Sequence, residues 1–443
     1  MQIDWFPLWL SLRVAFVSTA VAFVVGLWLA YILANREFRG LATAQVISEC
    51  GDQIAGIALS YLVYTRSNSP FLAAATYAVT FIPWVLGSIL LSPLVDRLAR
   101  KRVMVVCDIG RAVTVGVVSL ATTVHHMPIP VLIALVLISS CFSTPYNAAR
   151  SASLPDIFEA DPGYVGAVAI GRILQQVDAV FGFALGGVIV AAVSPTAALG
   201  IDSGTFLVSC VITLIAVKDR PVAVVGGWPS VRSIFVDVGP NFVLVLQSKT
   251  RRAMLLLAGA ALLFLVAPES LAVAYARQHG HGAVAAGLLI ASQPLGIAVG
   301  AWLFIKYVPP RRQGRLLLPL AGAGAAVLAF TALVPPIWLA CVLWGLAGVM
   351  QCFLVTTIAA YNVATDRAMR GRANGIASAT IAVSQGLGFL IWGAVGQWRG
   401  AAAAVAWAGV AGLLIMSLVR FSWPYDDIEA AWDNLDAAQR LST

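Results

Sequence analysis

The sequence predicts an all-α integral membrane protein built from two six-helix bundles, with one extra transmembrane helix ahead of them. Three observations carry this. The 443 residues are 60% hydrophobic and only 11% charged, a composition outside the soluble globular range. The chain divides into thirteen apolar runs of about 20 residues, the length that crosses a ~30 Å hydrocarbon core as helix. The basic residues sit in every second gap between those runs. Of 28 Lys and Arg, 21 fall in alternate gaps, at the span ends bordering them (Arg315 and Arg420) or in the C-terminal tail. Arg66, Arg277 and Arg399 fall in the opposite gaps, and Arg13, Arg111, Arg172 and Lys306 lie within spans.

Taken in order, the spans fall at about 8–34, 41–65, 71–95, 103–123, 129–147, 163–191, 196–217, 253–276, 280–307, 315–334, 336–360, 374–397 and 400–421. Backbone facing lipid must satisfy its own hydrogen bonds, and the runs are too long for barrel strands, so each is a helix. Residues 1–40 hold the extra helix and 41–217 the first bundle. A polar loop over 218–252 leads to the second bundle at 253–421, and a polar, acid-rich tail occupies 422–443. Within the loop, 231–247 mixes Val, Ile, Phe and Leu with Asp237 and Gln247, which suits either a short interfacial helix or a plain linker. Lys and Arg are retained on the cytoplasmic side. Loop and tail are therefore expected in the cytoplasm, the N-terminus outside, and the chain in the plasma (inner) membrane.

Composition also excludes. A net charge of +8 could point to nucleic acid, but the basic residues are dispersed over loops and make no concentrated face. The six cysteines are scattered inside apolar runs without a C-x-x-C pair and read as small buried residues. His125 and His126 share a short loop with no third ligand nearby, so no metal site is expected. No cofactor is expected, and no histidine–acid constellation suggests an enzyme. The N-terminus lacks a basic leader and an A-x-A site, so it does not read as a signal peptide. The expected partners are the lipid bilayer, a small-molecule substrate and protons, with the chain a monomer.

Ionisable residues inside spans face a cavity or a partner, because lipid exposure is costly. Gln45, Glu49, Asp52, Gln53, Gly56 and Ser60 recur at helical spacing on one face. Asp52 lies 11 residues past Leu41, about 16 Å deep at 1.5 Å per residue. A low-dielectric site disfavours the charged form of a carboxyl, the condition a proton carrier uses. Asp52 is thus a candidate proton carrier assisted by Glu49, or else a structural hydrogen-bond partner. Gly171, Gln175, Asp178 and Gly182 share a face of the fifth bundle span, with Arg172 and Gln176 beside it. Arg172 is placed to be a counter-ion for Asp52 or Asp178, or a structural ion pair. Glu269, Gln293 and Gln385 are placed to line the same cavity. Trp84, Trp344 and Trp392 offer aromatic contacts to an amphiphilic substrate or to packing. Asp108 and Arg111, three residues apart near a span end, read as a gate pair.

The halves echo one another. Gly182-Phe183-Ala184-Leu185-Gly186-Gly187 is matched 206 residues later by Gly388-Phe389-Leu390-Ile391-Trp392-Gly393, and Arg100-Lys101-Arg102 is echoed about 210 residues on by Arg311-Arg312. A fixed offset between six-span halves is the mark of a duplicated transporter. Between the second and third bundle spans, Ser92-Pro93-Leu94-Val95-Asp96-Arg97-Leu98-Ala99-Arg100-Lys101-Arg102 resembles the signature loop of the major facilitator superfamily, with Ser92 and Ala99 in place of glycines. Ser48-Glu49-Cys50-Gly51-Asp52-Gln53, the stretch from Pro145 to Pro155, Leu199 to Phe206, and Pro268-Glu269-Ser270 resemble its drug-efflux and siderophore-exporter branch. The resemblance implies a twelve-helix transporter exporting hydrophobic or amphiphilic molecules in exchange for protons. It also implies a cytoplasmic gate at Ser92, Asp96, Arg97, Arg100, Lys101, Arg102, Asp108 and Arg111. Gly182, Gly186 and Gly187 resemble an antiporter motif with Phe183 where proline is expected, and small residues at this spacing equally suit tight packing. Asp4 to Val14 and Leu33 to Gly40 resemble the first helix of molybdate-type ABC permeases.

Overall fold

The computed structural model describes residues 35–90, 98–123, 127–158, 163–220, 247–365, 370–421, 423–425 and 428. The extra helix expected at 8–34, all but the last residue of the segment 231–247, the residues Ser92, Asp96 and Arg97, and most of the tail lie outside them. The described residues form fifteen α-helices and no strand. These are α1 Arg36–Ser67, α2 Pro70–Ala78, α3 Phe81–Leu90, α4 Arg100–Thr123, α5 Ile129–Phe158, α6 Gly163–Ala192, α7 Pro195–Ala216, α8 Lys249–Leu265, α9 Ala267–Gln278, α10 Ala283–Tyr307, α11 Pro310–Ala329, α12 Ile337–Gln351, α13 Phe353–Val363, α14 Arg370–Arg399 and α15 Ala401–Phe421. Joined across their breaks, α2–α3, α8–α9 and α12–α13 make single spans. Eleven spans are long and apolar enough to cross a membrane, and α1, with Glu49 and Asp52 in its middle, completes a twelve-helix fold.

Two breaks trace to proline. Pro83 cannot donate to the carbonyl of Val79, and the chain turns at 79–80, where the Thr80 hydroxyl bonds the Tyr77 carbonyl at 2.7 Å. Pro268 likewise withholds a donor from Phe264, and the helix breaks at Val266. Freed carbonyls inside a membrane must find other donors. Gln293 donates to Leu265 O at 2.8 Å and to Gln351 Oε1 at 2.7 Å, and Trp392 Nε1 donates to Leu263 O at 2.6 Å. Gln293, expected to line a cavity, is instead buried and repairs the broken span, and Trp392, offered to a substrate or to packing, is buried beside it in the same role. Trp344 is also fully buried, against Thr331 and Tyr275. A second correction concerns α5, expected to end near 147. It continues through Pro145 to Phe158 and so carries Arg150 on a helix rather than in a loop.

The repeated glycines explain how the halves meet. A side chain at Gly182 would strike Gln53, and one at Gly186 would press on Ile54, so α6 lies tight against α1. Gly187 lies against the backbone of Gly287 and Ala283 on α10. In the second half, Gly388 approaches the Leu263 carbonyl and Val266 at the end of α8, and Gly393 approaches Ala74 and Phe71 on α2. Each glycine-bearing span thus touches the first span of its own half and the second span of the other half. The contacts that cross between halves gather toward the end opposite the basic loops. They include Gly187 with Gly287, Gly393 with α2, Tyr77 stacked on Phe389 with centroids 5.4 Å apart, and Arg277 donating to the Tyr61 hydroxyl at 3.5 Å.

At the basic end the first half is tied by charge. Arg220 grips Glu37 at the start of α1 with a bidentate pair at 2.5 and 2.9 Å, and the Lys218 N–H adds a third bond at 3.0 Å. Arg100 pairs with Asp156 at the end of α5 and donates to Ala152 O at 2.7 Å, and Lys101 reaches Asp219 at 3.8 Å. Trp423 and Ile428, at the start of the tail, are buried in the main apolar core. Burial works to raise the pKa of Glu37, but the Arg220 hydrogen bonds and the Lys218 N–H outweigh it and hold the carboxyl below its usual value. A lowered folded-state pKa stabilises above the ordinary glutamate range and is lost as pH falls through the folded value. Thermal melts in detergent at stepped pH are therefore expected to fall on acidification below about 4.3, and Glu37→Gln is expected to flatten that part of the curve while lowering the melting temperature near neutrality.

Candidate functional site

The site grows from α1, the most polar of the twelve spans. Its face of Gln45, Glu49, Asp52 and Gln53 turns toward α4, α5, α6 and α7. Arg111 of α4 is 2% exposed and lies at the centre. Its Nη2 donates to Asp108 Oδ1 at 2.5 Å and its Nη1 reaches Asp52 Oδ2 at 3.5 Å. Its guanidinium lies 4.4 Å from the ring centroid of Tyr146 and 4.3 Å from that of Phe206. A cation between two aromatic faces keeps favourable electrostatics after losing water. Asp108 is fully buried and accepts a second bond from Ser209 at 2.8 Å. Asp108 and Arg111 therefore do pair, but inside the bundle, and the pair extends to Asp52.

A second arginine, Arg150 of α5, donates to Gln45 Oε1, and Gln45 donates to Glu49 Oε1 at 3.0 Å. Asp178 of α6 is 1% exposed, adjoins Glu49, and accepts from the Cys50 thiol at 3.5 Å. Asp202 of α7 is also 1% exposed. It accepts from Thr205 at 3.1 Å and packs where Gly51 leaves no side chain. Glu49, Asp52, Asp108, Asp178 and Asp202 thus surround two guanidiniums. Carboxyls in a low-dielectric site that outnumber their cations cannot all remain ionised cheaply.

Arg172 does not serve as the counter-ion expected of it. It is exposed and donates to Gln175 on its own helix at 3.3 Å, and the charge that reaches Asp52 is Arg111. Gln176, its neighbour, instead crosses between halves to bond Pro294 O at 2.7 Å. Glu269 stands in the first turn of α9, just past the break, and Gln385 is half-buried on α14. Arg102 is exposed at the basic end. Sequence reasoning missed Arg150 and Asp202. Both carried a signal: an arginine within a turn or two of a span end, and an acid inside an apolar run. Among the described residues no group of three or more His, Cys, Asp or Glu is arranged to hold a metal ion.

Two six-span halves, the first enclosing a buried polar cluster, have the architecture of a membrane transporter. The chain matches the Major Facilitator Superfamily over residues 41–364, and it belongs to that superfamily. It is 25% identical over 401 residues to the enterobactin exporter EntS of Salmonella typhi, covering 88% of this chain and 93% of EntS. It is 30% identical over 192 residues to the MFS-type transporter YfiS of Bacillus subtilis (strain 168), a match that spans 42% of this chain and 44% of YfiS. Among solved structures, the nucleoside transporter NupG superposes with a TM-score of 0.67 at 14% identity, covering 88% of this chain and 99% of NupG. A bacterial homologue of the iron transporter ferroportin superposes at 0.63 and 16% identity, covering 89% and 98%. The likeness of residues 1–40 to an ABC permease is not supported: the superfamily match begins at residue 41.

Removing one member of a buried charged pair strands the other, at about 3–5 kcal/mol. Arg111→Gln is expected to lower the melting temperature sharply in detergent. Arg111→Gln combined with Asp108→Asn is expected to recover more than half of the loss. Additive losses in that pair of variants would contradict the coupling.

Proposed function

We propose that this chain is a proton-coupled exporter of hydrophobic or amphiphilic small molecules, working by alternating access. The observation that carries the reading is the cluster of five carboxyls around two buried guanidiniums in the first half. Such an excess of acids takes up protons and releases them when its surroundings change. Asp52 is the member placed to exchange them, since its side chain is 43% exposed while its partner Arg111 is 3% exposed. Glu49 and Asp178, which adjoin, are the pair that hands protons on. Retention of basic loops orients the basic end to the cytoplasm. Cross-half contacts gathered at the other end then correspond to a state sealed outside and accessible from inside, the state in which an exporter loads substrate.

Residues 41–217 and 253–421 act as the two rocking bundles, 218–252 and the tail from 422 lie in the cytoplasm, and the protein resides in the plasma membrane as a monomer. The loop from Ser92 to Arg102 serves as the cytoplasmic gate, with Arg100 already engaged by Asp156 in this state. Gly182, Gly186 and Gly187 supply close packing between spans. The likeness to EntS supports a narrower reading, in which the cargo is a siderophore of the enterobactin kind.

Efflux from inverted vesicles tests this, using fluorescent amphiphiles and enterobactin in parallel. Uncoupler-sensitive transport that falls at least tenfold in Asp52→Asn is the expected result. Transport that ignores the uncoupler, or an Asp52→Asn variant that stays proton-driven, would sink the assignment. Enterobactin moving while the amphiphiles do not would select the narrower reading.

A further inference from the structure

Tyr77 lies at the last turn of α2, just before the break at 79–80. Its ring stacks on Phe389 of α14, centroids 5.4 Å apart and planes 19° from parallel. Phe81 joins the stack at 5.6 Å from Phe389. These rings belong to a separate apolar cluster with Ala74 and Ala78 of α2, Leu262 of α8 and Val266 at the break beside it. The cluster is therefore a seam between the two halves, on the side opposite the basic loops. Its one polar atom is the Tyr77 hydroxyl. That oxygen is buried, has no hydrogen-bond partner among the described residues, and presses on the backbone of Gly56, where any side chain would collide with it. Asp52 and Glu269 lie within electrostatic reach of it, yet neither bonds it.

A buried hydroxyl without a partner is unfavourable to the state that buries it, whereas stacked rings favour that state. The two effects oppose each other within one side chain. We propose that Tyr77 is a positioning residue that sets the balance between the two states of this transporter: its ring closes the seam and its unpaired hydroxyl limits how firmly the seam stays closed. This inference rests on the alternating-access reading above. When the halves part at that end, the ring leaves Phe389 and water reaches the hydroxyl, so its hydrogen-bonding capacity is restored only in the other state. Phenylalanine at this position keeps the stack and removes the opposing effect, so it over-stabilises the closed seam. Alanine at Phe389 removes the stack and does the reverse.

The test is a distance measurement between spin labels at Asn68→Cys and His281→Cys, one on each half at the end nearer the seam, with the six native cysteines replaced. It uses the full-length protein in lipid nanodiscs and needs no substrate. Wild type is expected to show a short-distance and a long-distance population. Tyr77→Phe is expected to reduce the long-distance share by about tenfold, the order set by leaving a buried hydroxyl unpaired, with no loss of melting temperature. Phe389→Ala is expected to raise that share. If Tyr77→Phe leaves both populations unchanged, or shifts them toward the long distance, the inference is overturned while alternating access stands. If wild type and Phe389→Ala both give a single short distance, alternating access fails and this inference fails with it.

Discussion

The arrangement depends on one cation. Arg111 is the point where α1, α4, α5 and α7 meet, because it touches Asp52, Asp108, Tyr146 and Phe206 at once. Desolvating a guanidinium is expensive, so it is tolerated only where carboxylates and ring faces surround it. That requirement fixes the rotation of four helices about their axes. It also decides which acids are left with less compensation: Asp52 shares Arg111 with Asp108, which holds it at the shorter distance. Among the described residues, no arginine is hydrogen-bonded to Asp178 or Asp202. The same interaction that orders the first half thus leaves it carrying surplus acids, and the proposed coupling follows from the surplus.

The second half is built differently. Its spans contain a lone carboxyl among the described residues, Glu269, and its polar side chains mend backbone. Gln293 and Trp392 bond the carbonyls freed where the span over Lys249–Gln278 breaks. A half that is chemically quiet but mechanically jointed suits a partner against which the charged half moves. In the proposed cycle the glycine contacts are where that movement would occur, since Gly187 lies against Gly287 and Gly393 against Phe71 and Ala74 of α2 without a glycine side chain between.

Much of this was legible in the sequence, for physical reasons. The twelve described spans follow from hydropathy because lipid enforces helix length, and the polar face of α1 follows from helical spacing. The glycine echo at 206 residues predicted a duplication, and the contacts obey it. What escaped was partner choice. Arg172 and Arg111 are both arginines inside spans that also carry an acid, Asp178 and Asp108, and only the packing of α4 against α1 selects Arg111 as the partner of Asp52. Gln293 looked like a cavity residue because the break it repairs is created by Pro268, 25 residues away, and a pattern read along one helix carries no information about a neighbour's broken backbone. Arg150 fell in a gap because the apolar run ends near 147, whereas the helix continues past Pro145 and Pro155 to Phe158.

The central claim is that the carboxyl cluster holds exchangeable protons. Infrared absorption of protonated carboxyl groups measures this directly in detergent-solubilised protein, with no substrate required. The account predicts a protonated-carboxyl band at neutral pH that diminishes as the medium is made alkaline, and that is weaker in Asp178→Asn and in Asp202→Asn than in wild type. A wild-type spectrum with every carboxyl ionised at neutral pH would contradict it.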